Sequence, residues 1–182
     1  MPFDLQPILK GDLLELRPLR PDDFSALYAV ASDPLIWEQH PANDRYKEDV
    51  FKTFFRDALE SGGALIAHDR KDGQVIGSSR YNAYDEDKSE IEIGWTFLAR
   101  SHWGGLYNGE MKRLMLRHAF QFVDKVLFVI GTGNLRSQRA IEKIGGVRVG
   151  LRTDALGRDS FVYRITASEL HEASASGPRA GA

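Results

Sequence analysis

Three strand-like runs, residues 64–69, 74–84 and 89–98, follow one another with only Arg70-Lys71-Asp72-Gly73 and Asp85-Glu86-Asp87-Lys88 between them. Connections this short and polar reverse the chain but leave no room for a crossover helix, so the runs pair as an antiparallel meander. The faces of that meander must then be closed by helices from elsewhere in the chain. Two candidates precede it. After Pro21-Asp22-Asp23, residues Phe24, Leu27, Tyr28 and Ala31 supply one apolar helical face. A second helix is expected over residues 47–60, where Val50, Phe51, Phe54, Phe55, Ala58 and Leu59 recur at helical spacing before Ser61-Gly62-Gly63 ends it.

An earlier strand at residues 13–18 is stopped by Pro18 and Pro21. Beyond the meander, Asn108 or Gly109 opens a helix whose apolar face is Met111, Leu114, Met115, His118, Ala119 and Phe122. His118 on such a face reads as a packed side chain. Residues 125–130 form a short apolar run suited to a buried strand, residues 136–144 a short helix closed by Gly145-Gly146, and residues 147–154 and 159–165 a terminal hairpin. One α+β (mixed α/β) domain over residues 1–167 is the simplest assembly, a single mostly antiparallel sheet flanked by helices. Residues 168–182 are small and polar and are expected to form a disordered tail.

Composition removes several classes of function. The chain has 182 residues, a formal net charge of −2 and a pI near 6.2, so no overall field favours nucleic acid or an anionic membrane. No apolar run approaches the roughly 18 residues of a membrane span, and residues 1–10 lack the basic start and apolar core of an export signal, so a cytoplasmic location is expected. The absence of cysteine excludes a cysteine acyl-enzyme, a thiolate metal site and a disulfide framework. The five histidines, His40, His68, His102, His118 and His171, have no i and i+4 pair, and no metal is expected.

Two glycine-bearing turns invite chemistry. Gly131-Thr132-Gly133-Asn134-Leu135-Arg136 follows a strand, as a dinucleotide fingerprint would, with Asp154 downstream. Arg136 stands where close helix packing requires a small residue, and no parallel strand-helix series surrounds it, which argues against a dinucleotide site. The stretch Arg100-Ser101-His102-Trp103-Gly104-Gly105-Leu106-Tyr107-Asn108-Gly109 joins a strand to a helix start, where free backbone N–H groups and the helix dipole favour an anion. Taken alone, it is a phosphate cradle or only a turn. It lacks the Gly-Lys-Ser/Thr ending of a nucleoside-triphosphate loop.

The segment IEIGWTFLARSHWGGLYNGEMKRLMLRHAF, then a strand, then Asn134, Ser137 and Ile141-Glu142-Lys143-Ile144-Gly145-Gly146, resembles the GNAT superfamily of acyl-CoA-dependent N-acyltransferases, in particular its RimJ/RimL-like branch. The resemblance spans residues 13–165. It implies a splayed sheet with acetyl-CoA as cosubstrate, the pantetheine arm lying in the gap against backbone near Phe97, Leu98 and Ala99. The pyrophosphate would meet Trp103, Gly104, Gly105, Leu106, Tyr107, Asn108 and Gly109. Asn134 matches the family asparagine that meets the pantetheine, Ser137 falls where this branch often has a hydroxyl near the thioester sulfur, and Arg139 and Lys143 lie toward the nucleotide. Leu106 and Asn108 replace two small residues of the family loop. Asn108 is a workable substitute, because asparagine tolerates left-handed backbone and its amide can donate to phosphate.

Within that resemblance, an acceptor amine must lose a proton, and period-two alternation places Glu90 and Glu92 on one face of their strand, opposite Ile91, Ile93 and Trp95. Glu92 is the expected general base; the alternative is a solvated glutamate pair. With no cysteine, direct attack in a ternary complex is expected, with Ser137, or else Tyr107, serving the leaving thiolate. The acceptor site is expected from Trp37, His40 and Tyr81, with Arg80 and Tyr84 beside them, packing being the alternative, and the favoured, role for Trp37. The resemblance leaves open a protein N-terminus, a polyamine or another small-molecule amine, and is compatible with a homodimer. A noncatalytic acyl-CoA-binding module of the same fold is the alternative function.

Overall fold

The computed structural model describes residues 1–170. Eight strands form one sheet in the order β1-β2-β3-β4-β5-β6-β8-β7. They are β1 (Leu9–Lys10), β2 (Leu14–Pro18), β3 (Ala64–Asp69), β4 (Val75–Asp85), β5 (Glu90–Leu98), β6 (Lys125–Gly131), β7 (Val147–Thr153) and β8 (Asp159–Thr166). The helices are α1 (Phe24–Ala31), α2 (Glu48–Glu60), α3 (Leu106–Ala119) and α4 (Leu135–Lys143). All neighbouring strands are antiparallel except β5 and β6, whose connection is the loop and helix α3. The meander of β3, β4 and β5 stands as the two short connections require. The two-residue β1 carries no sequence signal of its own.

Alternation along β3 divides the interior into two layers. Leu65 and Ala67 join a core with Met111, Met115 and Leu116 of α3 and Ile141 of α4. Ala64 and Ile66 face the other way, into a core with Leu27 of α1 and the aromatic face of α2, Phe51, Phe54 and Phe55. The i, i+3, i+4, i+7 spacing of Phe51, Phe54, Phe55 and Ala58 is what lets α2 bury one side while Glu48, Asp49 and Lys52 stay in water.

Three elements differ from the sequence reading. Helix α3 begins at Leu106, because Gly105 at φ 100° ends the loop and its carbonyl accepts the first helical hydrogen bond from Gly109 N–H, 2.9 Å. Residues 167–170 are helical and Leu170 is buried in the α3-side core, so the expected tail cannot begin at Ser168; residues 171–182 lie outside the described residues. Trp95 is on the opposite face from Ile91 and Ile93. A bulge sets two residues of β4, Ser78 and Arg80, against Phe97 and Gly94, and Trp95 takes φ 52°, which turns its ring into the α2-side core.

Candidate functional site

β5 and β6 pair for only three rungs, Glu90 with Lys125, Ile91 with Val126 and Glu92 with Leu127. Past Glu92, β5 stays paired with β4 through Leu98, with a bulge on the way, while β6 stays bonded to β8 through Gly131, so the two parallel strands part into a wedge. Backbone on the wedge side of β5 beyond Glu92 has no strand to bond among the described residues. Phe97 C=O points toward β4 at Gly77, and Ala99 N–H donates to Ile76 C=O at 2.7 Å; Leu98 C=O faces outward and accepts from Trp103 Nε1 at 3.0 Å. The side chains of Phe97 and Leu98 are buried in the two opposite cores.

The loop closing the wide end is held by side chains. Asp69, at the end of β3, accepts from His102 Nε2 at 2.8 Å and from Tyr107 OH at 3.1 Å, and its second oxygen caps Lys71 N–H at 2.8 Å. These bonds, led by the Lys71 amide, hold the Asp69 carboxyl below the usual carboxylate range. Gly104 and Gly105 have φ of 115° and 100°, which side chains rarely adopt. They bring the chain abruptly into α3, leaving Leu106, Tyr107 and Asn108 as its first residues, whose N–H groups meet no acceptor among the described residues. Leu106 is 73% exposed and Asn108 half-buried. The free amides suit an anion. Glu110, one turn on, is committed elsewhere: it accepts from the N–H groups of Asp12, Leu13 and Leu14 at 2.8–2.9 Å.

Asn134 caps α4, its Oδ1 accepting from Ser137 N–H at 3.3 Å, and its side chain is buried. Ser137 is half-buried with no hydrogen bond to its hydroxyl among the described residues, whereas Tyr107 OH is already given to Asp69. Arg139 is exposed. Arg136, the residue that argues against a dinucleotide fingerprint, instead ties the region together. Its guanidinium lies 3.9 Å from the Trp103 ring and donates to Ile36 C=O at 3.0 Å. Pro41, in the connection between α1 and α2, packs over Gly131 so closely that a Cβ there would sit 2.5 Å from it.

Glu92 occupies the last paired rung, where the wedge opens. Its side chain is only 13% exposed, and its Oε2 lies 3.6 Å from Arg152 Nη1. Burial raises its pKa above the ordinary glutamate value, and Arg152 opposes part of that rise. Glu90 is instead paired with Lys125 at 3.7 Å.

The expected acceptor residues separate. Trp37 is 2% exposed, its Nε1 donates to Ala31 C=O at 2.8 Å, and its ring packs 5.0 Å from Phe97, so it is core and has no surface for a substrate. Tyr81 is fully buried on the α3 face, its hydroxyl bonded to Met115 C=O at 2.7 Å, and Tyr84 packs on that same face against Phe3. Strand alternation explains the error: Tyr81 and Arg80 are neighbours and must point to opposite sides. His40 is half-buried; burial, then the nearby Arg45, pushes it down to about 3, so it is neutral at working pH. The sequence reading passed over Arg45 and Lys112. Lys112 sits beside the α3 apolar stripe with the burial of a core residue, 5% exposed, and its position between Met111 and Met115 was the available signal.

A family model described as an acetyltransferase (GNAT) domain matches residues 14–147. No curated protein was found to match. Among solved structures, a T. thermophilus protein assigned as an acetyltransferase is 27% identical with a TM-score of 0.74, over 96% of this chain and 95% of its own. Mycobacterium smegmatis RimJ in complex with CoA-disulfide shares the fold at 19% identity and TM-score 0.69, over 90% of this chain and 89% of its own. Vibrio cholerae spermidine N-acetyltransferase, in complex with CoA and spermine, shares it at 16% identity and TM-score 0.66, over 88% and 99%.

Proposed function

This chain belongs to the GNAT acetyltransferase family, and on that premise we propose that it transfers an acetyl group from acetyl-CoA to a primary amine by direct attack in a ternary complex, as a RimJ/RimL-like enzyme. The observation that carries the reading is the wedge between β5 and β6, with Glu92 on its last rung and the free amides of α3 at its wide end. The donor set fits the cosubstrate: unbonded N–H groups at a helix start for the pyrophosphate, and an unpaired strand edge for an amide-bearing arm.

In this reading the N–H groups of Leu106, Tyr107 and Asn108 hold the pyrophosphate, with Gly104 and Gly105 shaping the approach and Trp103 and Gly109 flanking it. Backbone at Leu98 and the side-chain N–H groups of Asn134 position the pantetheine, and Arg139 faces the nucleotide end; Phe97 C=O and Ala99 N–H are turned to β4 and do not serve. Acetyl-CoA supplies an activated thioester, on which attack by a neutral amine forms the amide and frees the thiol. Glu92 takes the proton the amine loses. An alkyl amine with a pKa of about 10 is mostly protonated at neutral pH, and a carboxylate with a raised pKa is the better-matched base. Ser137 donates a hydrogen bond to the departing sulfur; Tyr107 is bound to Asp69 and does not serve.

Thiol release from acetyl-CoA across a panel of amines tests the reading and identifies the acceptor. Calorimetric binding of acetyl-CoA with no turnover of any amine would leave the acyl-CoA-binding module instead. Absence of binding at millimolar ligand would end both.

A further inference from the structure

A cleft of about 540 Å³ opens between α2 and the bulged part of β5, on the same face of the sheet as Glu92. Two guanidiniums, Arg45 and Arg80, line it: Arg80 between the rings of Phe54 and Trp95, Arg45 against those of Phe54 and Trp37. Arg80 is 6% exposed, lies 4.5 Å from the Trp95 ring and 5.6 Å from the Phe54 ring, and donates no hydrogen bond among the described residues; its Nε is buried and unpartnered. Arg45 lies 4.8 Å from the Phe54 ring, and its polar contact is His40 Nε2 at 3.4 Å.

Neither guanidinium has an ion-pair partner among the described residues. The two carboxylates on the cleft wall, Asp49 and Asp57, are exposed residues of α2, and Asp57 pairs with Arg56 at 3.7 Å. Burial pulls Arg45 and Arg80 each down to about 10, and Arg80 pulls Arg45 further; Asp57 opposes part of the fall in Arg80, and Asp44 part of that in Arg45. Two like charges held out of water and backed by aromatic walls are costly until an anion neutralises them. The planar fork of a guanidinium accommodates a carboxylate or phosphate-type group through paired N–H donors.

The register connects this cleft to the chemistry. Arg80 stands opposite Gly94 and Asn82 opposite Glu92, so Arg80 and Glu92 are diagonal neighbours on one face, roughly 7–8 Å apart. Gly94 lies between Glu92 and Trp95 with no side chain to divide them, and a Cβ there would be 3.6 Å from Glu92 Oε1.

Building on the acetyl-transfer reading, we propose that this cleft is the acceptor subsite and that Arg80, with Arg45, binds an anionic group carried by the same small acceptor that presents its amine to Glu92. Amine and anion are then separated by a few bonds, as in an amino acid or an aminoalkyl phosphonate. A polyamine of the kind seen with the Vibrio cholerae spermidine N-acetyltransferase is repelled by the same pair of charges.

The test compares kcat/KM for β-alanine, aminoethylphosphonate, the neutral β-alaninamide and the dication diaminopropane, by thiol release from acetyl-CoA. The anionic amines should exceed the neutral one by about tenfold or more, with the dication last, and Arg80→Gln should collapse the ratio while Arg80→Lys keeps part of it. The better of the two anionic amines distinguishes carboxylate from phosphate chemistry. A neutral or dicationic amine that equals the anionic ones, or a ratio unmoved by Arg80→Gln, overturns the proposal. If no amine turns over, acetyl transfer fails separately, and calorimetry with β-alanine and aminoethylphosphonate still decides the subsite: binding must weaken about tenfold or more in Arg80→Gln. No binding, or equal binding by the variant, overturns it. Should circular dichroism show Arg80→Gln unfolded, Arg45→Gln, at a half-buried position, carries the same comparisons.

Discussion

Lys112 Nζ of α3 donates to Thr96 Oγ1 of β5 at 2.6 Å, and Thr96 Oγ1 is in turn 2.8 Å from Ser79 Oγ of β4. The ring of Phe128, on β6, lies 5.2 Å from the same Nζ, so the amine sits beneath the opening between β5 and β6. It has no carboxylate partner among the described residues, and burial brings its pKa down from 10.5 to about 7. The unfolded chain therefore binds a proton that the folded chain releases between about pH 7 and 10.5. Stability from this group is present above that window and is lost as pH falls through it. Lys112→Met should raise the melting temperature at pH 7 by several degrees and flatten the rise of stability from pH 7 to 10. Thermal melts across that range are the check; a variant less stable at every pH would show that the Thr96 contact outweighs desolvation.

Glu92→Gln should lower kcat by about a hundredfold with the best amine and remove the acid limb of the pH profile. In the unmodified protein that limb should lie above the ordinary glutamate range, because burial raises the Glu92 pKa. Steady-state kinetics from pH 5 to 9 read both. Unchanged turnover and an unchanged profile would remove Glu92 from the base role.

Asn108→Asp should separate stability from binding. As the third residue of α3, an aspartate meets the positive end of the helix dipole and should stabilise the fold by about 0.3–1 kcal/mol. The same charge should weaken acetyl-CoA binding by repelling the pyrophosphate. Melting curves and calorimetric titration measure the two effects; unchanged affinity takes Asn108 out of the cradle.

Asp69→Asn should release the loop at its anchor. The variant loses charged acceptance from His102 and Tyr107 in a residue 5% exposed, a cost of about 1–3 kcal/mol. Acetyl-CoA affinity should fall with stability, since the Asp69 bonds hold the loop that presents the free amides of α3. Chemical denaturation paired with calorimetry tests this. Full affinity in a destabilised variant would separate the anchor from the cradle.

Local signals made much of this architecture readable. The meander followed from two connections too short and polar for a crossover, and α2 from the recurrence of Phe51, Phe54, Phe55 and Ala58. The stop at Gly104-Gly105 is visible, but the pattern starts α3 at Asn108 or Gly109, two or three residues late, because Leu106 has no N-terminal preference and only the positive φ of Gly105 fixes the boundary. Trp95 was assigned to the wrong face because period-two counting has no means of registering a bulge.

Trp37 and Tyr81 show the same limit for function: an aromatic ring with a polar tip suits a pocket or a core equally well, and only its partners, Ala31 C=O and Met115 C=O, decide. The sequence by itself determined the main elements other than β1 and the turn of helix at residues 167–170, their order, and the glutamate and loop that the family resemblance singled out, since these rest on spacing along one segment. Tertiary structure alone decided where β5 leaves β6, which face each side chain takes after the bulge, and which cations are left without partners. Those depend on contacts such as Lys112 with Thr96 and Arg80 with Trp95, between residues 16 and 15 positions apart, and on desolvation that no local pattern encodes.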